Sequence, residues 1–233
     1  MSLKKEKLLV IDGNSLLHRA WHALPPSLTT KDGTVINAAY GFTSLLLKAL
    51  RELSPDFIVV AFDRKEPTFR HKVFGAYKAT REKQPEELYA QLPILKSVLA
   101  AMGISFLEKA GFEADDIIGT VVAGNKGIEK IVLTGDLDIL QLVDAETKVY
   151  TPKKGISDLT VYDENAVRNR YGLSPEQMID FKALRGDPSD NIPGVRGIGE
   201  KTATILLSQF GTLENLYQAL EIHDSRMEKT SAR

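Results

Sequence analysis

Nine acidic residues stand where a metal site needs them. Three short apolar runs each end in an aspartate: Leu8 to Ile11 at Asp12, Phe57 to Phe62 at Asp63, and Ile131 to Gly135 at Asp136, with Asp138 two residues on. Glu113-Ala114-Asp115-Asp116 lies between the second and third runs, and Asp187-Pro188-Ser189-Asp190 follows later. Carboxylates gathered at one edge repel one another and raise each other's pKa. Hard divalent cations such as Mg2+ are the usual answer to that repulsion, each taking one or two carboxylates plus waters. Phosphodiester cleavage by two metals needs ions about 3.5–4 Å apart, and seven to nine acids suffice for such a pair. Helix capping or turn formation explains any one of these residues, but not the whole set at three strand ends and a helix start. Asp136 and Asp138 have strand-like period-2 spacing, which predicts that both face the same side.

The elements that must position these residues alternate strand and helix. Short apolar, β-branched runs read as buried parallel strands, and in open α/β sheets ligands bind beyond the carboxyl ends of the strands. The pattern predicts an α/β fold with a mostly parallel central sheet flanked by helices. Helices are expected over 14–23, 38–53, 86–102 and 114–123, with a short strand at 104–107. A strand pair, 148–150 and 159–161, is expected to form a hairpin across Gly155. From Asp163 the chain turns helical, over about 163–171, 175–185, 199–209 and 212–220. This divides it into an α/β core, 1–162, and a helical region, 163–233.

The 233 residues are 43% hydrophobic, enough for one real core, and include no cysteine, which excludes disulfides, thiolate zinc sites and a cysteine nucleophile. No apolar run reaches membrane-spanning length and no signal-peptide pattern leads the chain, so a cytoplasmic location is expected. The formal charge of −1 hides a division: setting aside the nine acids leaves 22 of 31 acidic residues against 30 Lys and Arg. Residues 64 to 83 hold seven Lys/Arg against two Glu. That basic stretch, with Pro67, Gly75 and Pro85 as breakers, shows no core periodicity, and a long polar stretch inside a compact domain is usually functional. Beside an acidic metal cluster it suits a polyanionic substrate. Its aromatics, in Phe69-Arg70-His71 and Tyr77-Lys78, are spaced to stack on bases while Lys and Arg hold phosphates. Lys78 and Arg81 would share a face if that piece is helical; a solvated surface is the plain alternative.

Gly194-Val195-Arg196-Gly197-Ile198-Gly199-Glu200-Lys201 opens a helix, and such a turn exposes backbone N–H groups that bind phosphate. It fails as a dinucleotide fingerprint, since no strand precedes it; it looks instead like a helix-hairpin-helix element gripping a DNA backbone. His18 and His22 have half of a zinc-site spacing, but no third imidazole or zincin glutamate accompanies them, so they read as ordinary helix residues. There is no serine elbow and no Gly-Lys-Ser/Thr phosphate loop. A receiver or haloacid-type phosphatase would also place an Asp at the end of strand one, but neither explains the glycine-rich turn or the basic segment. A small RNA-cleaving domain with a similar acidic edge would lack the residues after about 160. A module that binds branched DNA without cutting it is the second reading; the complete acid set speaks against it, and a metal-dependent cleavage assay separates the two.

The motifs Val10-Ile11-Asp12-Gly13-Asn14-Ser15, Ala61-Phe62-Asp63, Phe69-Arg70-His71, Tyr77-Lys78-Ala79, Gly111 to Asp116, Thr134 to Asp138 and Leu184 to Ala203 span most of the chain. By them the chain closely resembles the 5′ nuclease (5′–3′ exonuclease) domains of bacterial DNA polymerase I, within the flap endonuclease superfamily. The resemblance implies a divalent-metal-dependent, structure-specific 5′ nuclease. It would cut 5′ flaps and 5′ ends of duplex DNA in primer removal and repair. Asp12, Asp63, Glu113 and Asp115 would surround a first metal, Glu113 through water; Asp136, Asp138 and Asp190, with Asp115 bridging, would hold a second. Asp116 and Asp187 would be outer acids. Mg2+ is the implied ion, with Mn2+ as a substitute. Lys78 and Arg81 match the catalytic basic residues of a helical arch, about 64–103, through which a 5′ single strand passes. Arg19 and Arg70 would contact phosphates. Gly194, Val195, Gly197, Ile198, Gly199 and Lys201 match a helix–three-turn–helix over about 175–210, which in the family also holds K+. Implied partners are branched or nicked duplex DNA and a polymerase region of the same polypeptide, with the chain a monomer at the bacterial nucleoid. The family's domain continues past residue 233, so a longer protein is expected.

Overall fold

Strand β1 (Lys7–Asp12) is apolar on both faces, so it must lie inside a sheet covered on both sides. The computed structural model, which describes residues 5–153 and 158–223, places it there. The six-stranded sheet has the order β3-β2-β1-β4-β5-β6, with β2 Phe57–Phe62, β3 Ser105–Glu108, β4 Glu129–Leu133, β5 Thr147–Pro152 and β6 Leu159–Tyr162. All neighbours are parallel except β5 and β6. The β5–β6 pairing is the expected antiparallel one; Gly155 lies outside the described residues.

Alternation along the strands sorts the core into two layers. Leu9, Ile11, Val60, Phe62, Ile131 and Leu133 point to one side, where they meet α1 (Gly13–Ala23), α2 (Asn37–Leu53) and a later helix, Gln91–Ala101. Leu8, Val10, Ala61, Val132 and Val149 point to the other. There they meet α6 (Ala114–Gly124) and the C-terminal helices α7 (Glu164–Tyr171), α8 (Met178–Arg185), α9 (Glu200–Phe210) and α10 (Leu213–Glu221). Each fully buried Leu, Ile or Phe of these layers contributes roughly 1.5–3 kcal/mol. The helical region therefore shares one apolar layer with the sheet.

The expected helix over 86–102 is broken into α4 (Glu86–Tyr89) and α5 (Gln91–Ala101). Pro93 cannot donate to the carbonyl of residue 89, and its ring crowds that carbonyl. Buried Gln91 then accepts the backbone N–H groups of Ala38 and Ala39 at 2.9 and 3.0 Å, tying α5 to the start of α2. Helix α5 packs on α2 and β3, as core rather than arch. Between β2 and α4 the chain is mostly irregular, with one five-residue helix, α3 (Phe69–Val73). Strand β4 stops at Leu133, and Asp136 instead caps a 3-10 helix over Leu137–Leu142. The period-2 strand argument for Asp136 and Asp138 is thereby replaced: a tight turn, not a strand, presents them.

Parallel strands end at one edge, so Asp12, Asp63 and the segment after Leu133 come together; Ile11 pairs with Leu133 and Asp12 with Ala61. The 187–190 segment reaches the same edge through a glycine clasp. Asp187 and Ile192 exchange both backbone hydrogen bonds at 2.8 Å. Behind them Gly186 (φ 80) and Gly194 (φ 63) cross so closely that a Cβ on Gly194 would lie 2.3 Å from the Gly186 nitrogen. Only glycine meets both the positive φ and that approach. Gly194→Ala is expected to cost about 1–3 kcal/mol of stability, read as a lower denaturant midpoint at unchanged slope.

Candidate active site

Hydrogen bonds seat Asp12, Asp63 and Asp136. Asp12, 3% exposed, caps α1 by accepting the Ser15 N–H at 3.0 Å and accepts the Thr134 hydroxyl at 2.7 Å. The Asp63 carboxylate accepts the first N–H of α6, from Ala114, at 2.6 Å, while its own N–H donates to the Asn14 side chain at 2.8 Å. That helix start carries Glu113 as its cap and Asp115 in its first turn, where the helix dipole favours negative charge. Asp136 accepts the Asp138 N–H at 2.8 Å.

These residues form two adjoining cavities. Asp12, Asp63, Glu113, Asp115 and Asp136 line a cleft of about 560 Å³. Asp136, Asp138, Asp187 and Asp190 line a second space of about 380 Å³. Asp136, Ser15 and Arg81 belong to both.

Cations from two other elements enter this acidic edge. Lys78 donates to Glu113 at 2.8 Å, and Arg81 pairs with Asp190. Lys182 on α8 bridges Asp138 at 2.6 Å and Asp187 at 2.8 Å. The Lys78–Arg81 piece is a turn rather than a helix, with Lys78 at φ 55, so the two side chains reach different carboxylates instead of sharing a helical face. Tyr77, expected as a stacking surface, is instead 7% exposed, with its hydroxyl 2.9 Å from Glu113 and 3.0 Å from Asp190. One phenolic proton serves only one of these oxygens at a time, so Tyr77 couples the two acids.

Asp116 stands apart. It lines neither cavity, accepts both ends of the Arg70 guanidinium at 2.8 Å, and closes the α6 capping box through the Glu113 N–H. Arg70 is thus engaged by Asp116, with Glu113 at 3.7 Å. Arg19 donates to the Lys153 carbonyl and lines a hollow beside the cleft with Ser15, His18, His22 and Gly135. In the glycine-rich turn Val195, Gly197, Gly199 and Lys201 are exposed, Gly194 and Ile198 partly buried. Sequence reasoning passed over Lys182, because a single lysine in an amphipathic helix carries no positional signal. It also passed over His18 as a wall of the cleft, where the ring packs against His22 at 4.6 Å.

Two family descriptions cover the chain: 5′–3′ exonuclease, N-terminal resolvase-like domain, over residues 7–172, and 5′–3′ exonuclease, C-terminal SAM fold, over 173–232. The chain belongs to the 5′–3′ exonuclease family. It is 48% identical over 229 residues to the DNA polymerase I of Bacillus caldotenax, covering 97% of this chain and 26% of that protein. It is 47% identical over 215 residues to the DNA polymerase I of Mycobacterium bovis, covering 91% and 24%. The exonuclease thus spans about a quarter of the length of these curated relatives. Its fold matches a T5 5′-exonuclease solved with divalent metal ions (zinc) bound, at TM-score 0.73 and 23% identity over 92% of this chain and 79% of that one. No helix among the described residues is long and apolar enough to cross a membrane.

The electrostatics of the exonuclease edge match its donor set. Burial, then Asp12, Asp136 and Asp63, push Asp115 up to about 8. Burial pushes Asp12 up to about 6, against the pull of its Ser15 and Thr134 hydrogen bonds. Asp63 and Asp138 are also raised by burial. Asp187 is lowered, because Lys182 and Ser189 outweigh its partial burial. Asp116 is lowered by Arg70. Raised carboxyls with all-oxygen donors fit hard divalent cations, which would relieve the repulsion. Among the described residues no three acidic or imidazole side chains converge as a ready-made cage; Lys78, Arg81 and Lys182 pair with the carboxylates.

These shifts have a stability consequence. A carboxyl raised above its ordinary 3.8 favours the fold when protonated, and that contribution disappears as pH rises from about 4 through about 8. With metal chelated, Asp115→Asn is expected to raise the melting temperature at pH 8 but hardly at pH 4. The gain should be of order 1–3 kcal/mol, given the coupling among the neighbouring acids.

Proposed function

We propose that this 5′–3′ exonuclease is a divalent-metal-dependent, structure-specific nuclease that hydrolyses phosphodiesters at 5′ flaps and 5′ ends of duplex DNA. The observation that carries this reading is the joining of two carboxylate cavities at one sheet edge with Lys78 and Arg81 reaching into them. Asp12, Asp63, Glu113 and Asp115 would hold one ion, and Asp136, Asp138 and Asp190, with Asp115 between, the other; Asp116 and Asp187 orient the outer shell. Mg2+ is the proposed ion, with Mn2+ as a substitute. When bound, the ions supply activation of the attacking water and stabilisation of charge at phosphorus.

The remaining work falls to side chains. Lys78 and Arg81 now rest on Glu113 and Asp190, and they exchange these partners for the oxygens of the scissile phosphate. There they offset charge that builds in the transition state. Arg19 holds a backbone phosphate beside the cleft, and Arg70 does so on leaving Asp116. Lys201 and the backbone of residues 194–199 grip the duplex, with K+ at that turn. The products carry a 5′ phosphate and a 3′ hydroxyl. The domain acts as a monomeric part of a cytoplasmic, nucleoid-associated DNA polymerase I, in primer removal and repair, with the polymerase region elsewhere on that polypeptide.

A 5′-labelled flap incubated with the protein and Mg2+ is expected to release short 5′ fragments, with none in EDTA. Intact binding without cleavage by wild type would favour a binding module. Asp115→Ala is expected to abolish cleavage, and wild-type turnover by that variant would remove Asp115 from the metal set. Lys78→Ala is expected to lower kcat about 100-fold or more, in the range of a lost transition-state contact, while duplex affinity changes little. Equal losses in both would count against its transition-state role.

A further inference from the structure

Beside the second carboxylate space lies a cavity of about 370 Å³ between α3 and α8 whose apolar walls the proposed chemistry does not use. Its walls are apolar: Phe69, Val73 and Phe74 from the basic segment, Ala183 and Ile192 from the opposite side. Three of these are solvent-exposed in a segment that is otherwise charged, Val73 at 85%, Phe69 at 44% and Phe74 at 39%. Exposed apolar side chains gathered around a concave surface mark a binding site.

The floor of the cavity identifies what enters it. Asp138, Lys182, Asp187 and Asp190 line both this cavity and the second carboxylate space, so the two are continuous. The side chains of Phe69, Val73, Phe74, Ala183 and Ile192 offer a phosphate no hydrogen-bond donor. A neutral, flat, apolar-faced group fits. In a nucleotide whose phosphate lies at the carboxylate edge, the base is one sugar away, within reach of the apolar walls. The Phe69 ring is kept in place by Phe112, with ring centroids 5.8 Å apart, and Arg70 lies 4.6 Å from it.

We propose that this cavity is a nucleobase pocket. It receives the unpaired base of a nucleotide adjoining the scissile phosphate, by stacking and apolar contact and without sequence preference. The proposal rests on the nuclease reading. It assigns Val73 and Phe74 a substrate-positioning role that the motifs leave unassigned. Base–aromatic stacking tolerates any base because each offers a π face.

The test uses 5′-flap DNAs carrying one abasic residue at each position around the cut. Wild-type protein is expected to lose about tenfold in kcat/KM at one position only. That penalty should vanish in Phe74→Ala and in Val73→Glu, whose substitution on an exposed side chain spares the fold; both already cut the complete flap about tenfold more slowly. A uniform small effect of abasic residues, or an unchanged penalty in both variants, would overturn the proposal. The second readout needs no cleavage. With EDTA present, 2-aminopurine at the sensitive position, or at each position in turn if no flap is cut, is expected to be quenched on binding by wild type but not by Phe74→Ala. If no flap is cut at all, the nuclease reading fails, yet this quenching still decides the pocket: lost in Phe74→Ala it stands, and absent in wild type or retained in the variant it falls.

Discussion

Mutual repulsion among carboxylates held at one sheet edge is the constraint around which the rest is arranged. Asp12 is nearly inaccessible, Asp115 is pushed up to about 8, and Asp63 is raised beside them. Such a cluster survives only on a scaffold that leaves it no room to spread. The doubly covered parallel sheet is that scaffold, because β1, β2 and β4 are buried on both faces and their ends are fixed by register. Hydrogen bonds from Ser15, Thr134 and the start of α6 then seat Asp12 and Asp63.

The compensating cations come from elements of very different rigidity. Lys182 stands on α8, whose Phe181 and Leu184 are in the shared apolar layer. Lys78, Arg81 and Arg70 stand on a segment with little anchoring. Between residues 64 and 90 only Thr68, Tyr77 and Leu88 are buried. Segments held by few apolar contacts open at low free-energy cost. The segment is held largely by its polar contacts to the acids themselves. Tyr77, shared between Glu113 and Asp190, links the two cavities to this behaviour.

The glycine clasp at Gly186 and Gly194 shows how backbone geometry reaches the chemistry. It folds the end of α8 back on itself, so that Asp187 and Asp190 face a sheet edge to which their own helix does not belong. The same crossing starts the exposed turn that leads into α9. One steric requirement thus fixes both the last acids of the cluster and the start of the exposed glycine-rich turn.

Period, punctuation and residue type determined much of this protein. Apolar runs ending in aspartate marked β1, β2 and β4, because a buried parallel strand needs no polar face and its carboxyl end is where polar groups can begin. The amphipathic period gave α1, α2 and α6 to within a residue or two, and eight of the nine acids line the two adjoining cavities at one edge. Tertiary structure decided the rest. Pro93 broke a helix whose apolar period ran through it, and the 3-10 helix rather than a strand turned Asp138 toward Lys182. Asp116 turned away to Arg70, and Tyr77 went inward. The first two have local causes, Pro93 and the Asp136 cap, that the apolar period masked; the last two depend on which cation or carboxylate lies within hydrogen-bond reach, and those partners are 36 to 113 residues apart for Tyr77 and 46 for Arg70. Periodicity reports which face of an element is buried, whereas pairing of charges across elements is settled only when the elements are packed.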